Sequence, residues 1–181
     1  DGYEVTVLEK NEQPGGRASL LKEKGFRFDM GPSWYMMPDV FETFFNAFGK
    51  KTSDFYKLKR LKPQYRVFFE DQNHVDISGD IEKDKAMFEK MEPGSGKLFD
   101  RYLEESKQKY EISMKSVLYK NMDSIFDLLS PEMAKAGPKM GIFQPMHQYI
   151  KGFFKHPKIQ QILEYNLVFL GCSPQNAPSL F

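Results

Sequence analysis

Residues 4–17, EVTVLEKNEQPGGR, constrain this chain more than any other stretch. Val5-Thr6-Val7-Leu8 is a short apolar run that reads as a buried strand. It ends on an acid, Glu9, and a short polar turn then leads to Gly15-Gly16-Arg17. In a dinucleotide-binding fold, the carboxylate that closes the second strand accepts hydrogen bonds from ribose hydroxyls. Paired glycines lack the Cβ atoms that would keep backbone away from a pyrophosphate. Arg17 beside them offers a fixed, permanently charged fork for phosphate oxygens. A strand ending in Glu, or a Gly-Gly turn, says little by itself. The order of strand, acid, turn and Gly-Gly-Arg is the specific signal.

Residues 26–45, FRFDMGPSWYMMPDVFETFF, extend that signal. Together with Gly-Gly-Arg, the aromatic-Asp-x-Gly-Pro-Ser element resembles the FAD-dependent amine oxidase and phytoene desaturase superfamily, and within it the carotenoid desaturase branch. The likeness is dense over the first third of the chain and thins beyond it. It implies an FAD enzyme acting on a long polyene, with Gly31, Pro32 and Ser33 beside the flavin or its ribityl chain. Read from the residues alone, the same Gly-Pro turn simply closes a strand. Relatives often carry Arg two positions after the acid. Asn11 stands there in this chain, so any phosphate or adenine contact made by that arginine has no charged counterpart here.

The resemblance implies an α/β chain: a partial Rossmann-like FAD-binding domain over 1–62, followed by a strand-and-helix substrate domain over 63–181. The glycine-rich G-x-G-x-x-G turn that should lie about 20 residues before the ribose-binding acid is not in these 181 residues, and the sequence starts at Asp1. The chain therefore reads as an internal piece of a longer protein. The site residues expected for the cofactor are Glu9, Gly15, Gly16, Arg17, Gly31, Pro32 and Ser33. No catalytic residue is assigned, because in flavin chemistry the cofactor carries the hydride step. Two other readings stay open: an amine or protoporphyrinogen oxidase, which shares Gly-Gly-Arg but not the Gly-Pro-Ser-Trp-Tyr continuation, and a lipid- or carotenoid-binding module without flavin.

Composition narrows the partners. The 26 basic and 25 acidic residues nearly cancel, which argues against a nucleic-acid coat. Seventeen Phe, nine Tyr and ten Met suit either an ordinary core or the lining for a greasy substrate. A single cysteine, Cys172, excludes an internal disulfide framework and fits a reducing compartment. His74, His147 and His156 have no ligand-spaced neighbours, so no metal site is expected. No apolar run is long enough to span a bilayer; the polyene substrate that the resemblance implies makes the expected location cytoplasmic and peripheral to a membrane. Two stretches could make that membrane contact, residues 50–62 and 151–158. Each also reads as a helix face with its aromatic residues turned inward.

Further along, hairpins are expected over 18–30, turning at Gly25, and over 65–78, turning at Asp71-Gln72-Asn73. Pro38 should open a helix that ends at Gly49, and Asp80 should cap one running to Met91. The Pro93-Gly94-Ser95-Gly96 break lacks the ending of a phosphate-binding loop and reads as a linker to a long helix. Helices are then expected near 124–129, 146–154 and 158–170.

Overall fold

The computed structural model describes residues 2–31, 34–119, 121, 123–124, 141 and 143–179. The chain mixes helices with two small sheets and separates into two compact units, Asp1–Lys59 and Arg60–Phe181.

In the first unit, the hairpin forms from β1 (Leu20–Glu23) and β2 (Phe26–Asp29), paired antiparallel with Leu21 opposite Phe28. Lys24 and Gly25 both have positive φ, 50° and 84°, as a two-residue turn matching strand twist requires. The first arm starts two residues later than Ala18. The Gly-Gly-Arg turn runs on as a single 3₁₀ turn, Gly16–Ala18, closed by Ala18 N–H donating to the Gly15 carbonyl at 2.9 Å. Helix α1 (Pro38–Asn46) opens on its proline, whose missing N–H has no partner to lose there. It closes where Lys50 N–H reaches back to the Phe45 carbonyl, with Gly49 at φ 66°.

Two expectations fail in this unit. Residues 5–8 form no strand: Val7 and Leu8 are 84% and 91% exposed. A strand is held by its neighbours' backbone groups, and no segment among the described residues pairs with this one. The helix expected over 50–62 is also absent. Thr52–Asp54 make only a 3₁₀ turn, and the rest is irregular. Local side chains cap the start of this short turn. Glu42 accepts from Thr52 N (3.1 Å) and Oγ1 (2.6 Å), and Asp54 accepts from Lys51 N (2.9 Å).

The second unit holds a real core. Strands β3 (Tyr65–Phe68) and β4 (His74–Ile77) pair with Val67 opposite Val75, as the hairpin reading expects. Helix α2 (Ile81–Met91) is capped by Asp80, which accepts from Lys83 N. Buried Asp84 fixes the strand exit to this helix by accepting from Ser78 N, Ser78 Oγ and Gly79 N at 2.8–3.1 Å. Gly94 (φ 90°) turns the chain directly into α3 (Ser95–Ser113), so Ser95 and Gly96 belong to the helix rather than to a linker. A π-type turn, Met114–Leu118, follows. The helix expected over 124–129 falls, apart from Ser124, outside the described residues. Helices α4 (Met146–Phe153) and α5 (Pro157–Glu164) complete the unit, and the chain leaves α5 as a 3₁₀ segment, Tyr165–Leu170.

Phe88, Phe99, Ile150, Phe154, Ile159 and Ile162 form the centre of this core, with Phe88 edge-on to Phe99 at 4.9 Å. Burying each such side chain contributes about 1.5–3 kcal/mol. Glu92 ties the helices together, since its two carboxylate oxygens accept from Lys155 N and His156 N at 2.8–3.1 Å just before α5. The 151–158 stretch is consequently a helix junction. Phe154 is fully buried, and Lys158 is paired with Asp71 at 2.5 Å over the Phe69 ring. Its aromatic residues Phe153 and Phe154 turn inward, as the helix-face reading has it, while Lys151 and Lys155 stay exposed.

Candidate cofactor site

The first unit brings together the two halves of the sequence signal. After β2, Met30 N–H donates to the Ser19 carbonyl at 2.9 Å, which extends the hairpin by one rung. That rung sets Gly31 against the Gly-Gly-Arg turn. A Cβ on Gly31 would sit 2.8 Å from the Arg17 carbonyl oxygen and 2.9 Å from Ala18 Cα. Only a residue without a side chain allows this backbone-to-backbone approach. Gly31 and Arg17, fourteen positions apart in sequence, are therefore packed face to face.

The turn itself suits an anion. Gly15 and Gly16 both have positive φ, 118° and 53°. Ala18 N and Ser19 N are spent on the Gly15 and Gly16 carbonyls, whereas the N–H groups of Gly16 and Arg17 have no partner among the described residues. Exposed, adjacent backbone donors in such a turn form the kind of concavity that receives phosphate oxygens, and the Arg17 guanidinium adds charge beside them. No atom lies within 4 Å of where a Cβ on Gly16 would stand, so the approach to the turn is open on that side.

Glu9 lies in the exposed loop before the turn. Its Oε1 accepts from Asn11 N at 2.9 Å, while Oε2 has no partner among the described residues. One oxygen thus fixes the side chain, and the other is available to a hydroxyl donor. Gln13 Nε2 donates to the Leu20 carbonyl at 2.9 Å and pins the polar loop to β1. No hydrogen bond among the described residues joins Glu9 to the glycine turn; the loop alone connects them. Pro32 and Ser33 lie outside the described residues.

Further along the first unit lies an aromatic group that sequence reasoning missed. The hydroxyls of Tyr35 and Tyr56 are hydrogen-bonded to one another, and the Tyr35 ring lies 4.5 Å from that of Phe41. Desolvation by these neighbours and the bond to Tyr56 push the Tyr35 hydroxyl up to about 12, so it stays protonated at neutral pH. The Thr52 hydrogen bonds hold the Glu42 carboxyl below its ordinary range and fasten the 3₁₀ turn to α1. No sequence motif couples Tyr35 to Tyr56. Their meeting depends on the irregular path of residues 50–56, which periodicity reads as a helix.

A loop with one free carboxylate oxygen, a glycine turn with unpaired donors and an arginine beside it are groups that could hold hydroxyls and phosphates. Among the described residues, no group of three or more His, Cys, Asp or Glu side chains could hold a metal ion. No helix among them is long and apolar enough to cross a membrane.

Comparison with known proteins gives the same direction. The profile of the flavin containing amine oxidoreductases matches residues 1–181. A carotenoid 3,4-desaturase of Haloarcula japonica is 47% identical over 99% of this chain, which covers 37% of that protein. A 4,4'-diapophytoene desaturase (4,4'-diaponeurosporene-forming) of Staphylococcus aureus is 34% identical over 99% of the chain, covering 36% of its length. The chain thus spans little more than a third of these curated relatives. Flavin is the family's cofactor, held in a Rossmann-like domain. Over its whole length, this chain belongs to the flavin containing amine oxidoreductase family.

Proposed function

We propose that the full-length protein is an FAD-dependent desaturase that introduces double bonds into a carotenoid precursor. The observation that carries this reading is the close approach of Gly31 to the Arg17–Ala18 backbone. It joins the Gly-Gly-Arg turn and the aromatic-Asp-x-Gly-Pro element into one local structure, and the relatives that resemble the chain along its length are named as desaturases of carotenoids.

In this reading residues 1–62 are part of the FAD-binding domain and residues 63–181 belong to the substrate domain. Glu9 accepts a ribose hydroxyl through its unpaired oxygen. Gly15, Gly16 and Arg17 receive the pyrophosphate, while Gly31, Pro32 and Ser33 flank the flavin side. When bound, FAD would supply a hydride acceptor for a saturated carbon next to the conjugated system, and the double bond forms as the adjacent carbon loses a proton. The protein's contribution is to hold the nucleotide half, orient the polyene and keep water out. Elsewhere in the same unit, the Tyr35 and Tyr56 hydroxyls are hydrogen-bonded and the rings of Phe41, Phe45 and Phe55 pack with them.

The test is FAD titration into the apo form of the full-length protein. Replacing Glu9 with Ala removes a charge-assisted hydrogen bond worth about 1.5–3 kcal/mol, a loss of roughly tenfold to a hundredfold in affinity. Unchanged affinity in Glu9→Ala, with the same melting temperature as wild type, would remove Glu9 from the site.

A further inference from the structure

The glycine turn and the loop that leads to it are held in different ways. The turn is closed by its own backbone: Ala18 N and Ser19 N donate to the Gly15 and Gly16 carbonyls at 2.9 and 3.2 Å. Gly31 then packs against it from the end of the hairpin. Residues 2–14 have no comparable support. Among the described residues they belong to no helix or strand, and they enter no ion pair and no backbone-to-backbone hydrogen bond.

Two side-chain hydrogen bonds order this loop. Asn11 N donates to Glu9 Oε1 at 2.9 Å, which fixes the carboxylate on the loop itself. Gln13 Nε2 donates to the Leu20 carbonyl at 2.9 Å, seven positions on, and this bond alone among the described residues crosses to the hairpin. Its acceptor is free for a geometric reason. The Ser19 carbonyl faces β2, where it receives Met30 N–H, and successive carbonyls along a strand face opposite edges. The Leu20 carbonyl therefore points to the edge of β1 that carries no strand among the described residues, and Gln13 satisfies it. Pro14 further restricts the backbone of Gln13.

We propose that Gln13 is a positioning residue for the cofactor site: its amide clamps the loop to β1 and so sets where the Glu9 carboxylate stands relative to the glycine turn. This rests on the nucleotide part of the reading above, in which Glu9 takes a ribose hydroxyl and the turn takes the pyrophosphate. Ribose and pyrophosphate are covalently joined in one ligand, so the carboxylate and the turn donors have to keep a set separation. A loop held at that separation before binding spares the nucleotide the cost of ordering it. The turn keeps its own shape without Gln13, so the clamp acts through Glu9.

The experiment compares ADP with 2′,3′-dideoxy-ADP, titrated into full-length protein freed of flavin. The dideoxy compound keeps adenine and diphosphate but has no hydroxyl for Glu9. Wild type should prefer ADP by roughly tenfold to a hundredfold, the worth of a charge-assisted hydrogen bond. Gln13→Met has a similar length and no donor. It should cut that preference by about threefold to tenfold and leave the affinity for dideoxy-ADP unchanged. In Glu9→Ala the preference is gone, and adding Gln13→Met should change neither affinity. A misfolded fraction lowers both affinities alike and leaves their ratio untouched. A wild-type ratio in Gln13→Met overturns the proposal. So does an equal loss for both nucleotides, which would make the bond a prop for the turn. Either result leaves Glu9 as the ribose contact. No binding of ADP to wild type, no preference for it, or a preference that survives Glu9→Ala overturns the ribose contact and the clamp together.

Discussion

Replacing Gly31 with Ala should weaken FAD binding without disturbing the hairpin turn. The new Cβ would stand 2.8 Å from the Arg17 carbonyl oxygen, 2.9 Å from Ala18 Cα and 3.5 Å from Ala18 Cβ. Two of these neighbours are backbone atoms, so no rotamer change relieves the overlap. Either Gly31 or the Gly-Gly-Arg turn has to move by several tenths of an ångström. Overpacking of this kind costs about 1–3 kcal/mol. If the turn is what yields, its unpaired N–H groups leave their binding positions, and affinity falls by about fivefold to a hundredfold. Gly25→Ala is the control. Its φ of 84° brings backbone strain that Gly31→Ala does not, but no atom lies within 4 Å of the added Cβ. FAD titration of the full-length apo-proteins, followed by flavin fluorescence, reads both. Equal losses in the two variants, or wild-type affinity in Gly31→Ala, would refute the claim that the glycine approach shapes the pyrophosphate turn.

Phe154→Ala should lower the thermal midpoint markedly, because a fully buried ring is removed from between α2, α3 and α4. Such truncations cost about 3–5 kcal/mol, and a midpoint close to wild type would show that the second unit has no shared core. Asp71 should stay ionised in acid: the Lys158 hydrogen bond, then the Asn73 side chain, hold its carboxyl down at about 2 from the ordinary 3.8. Its folded value lies below its unfolded one. The tie from the β3–β4 turn to α5 is therefore intact at neutral pH and weakens as pH drops from about 4 through about 2. Carboxyl-carbon NMR titration checks this, and Asp71 titrating in the ordinary carboxylate range, or unchanged by Lys158→Met, would contradict it.

What the sequence disclosed depended on how local the determinant was. Lys24-Gly25 specifies its own turn, Pro38 its own helix start and Asp80 its own cap, so these elements were legible from a few adjacent residues. Residues 5–8 have the pattern of a strand, but a strand is completed by partners, and pattern cannot supply them. The 50–62 stretch carries helical spacing of apolar residues. The structure has a single 3₁₀ turn there instead, tied to Glu42 by Thr52 hydrogen bonds that span ten positions. At the site, the types of Glu9, Gly15, Gly16 and Arg17 were readable. The packing of Gly31 on Arg17 and the Tyr35–Tyr56 pair were not, since both arise only after the hairpin and the irregular turn are in place. Phe153 and Phe154 look like an anchor between lysines; Glu92, 63 positions before Lys155, fastens that segment so that Phe154 is buried in the core.

The most direct test of the desaturase reading is an anaerobic single turnover. Full-length protein with bound oxidised FAD is mixed with a detergent-dispersed, partly saturated carotenoid precursor, and the visible spectrum is followed. Loss of the oxidised flavin band in step with a longer-wavelength polyene absorption is the predicted result. A flavin that stays oxidised in the presence of bound polyene, while a simple amine substrate bleaches it, would contradict the account.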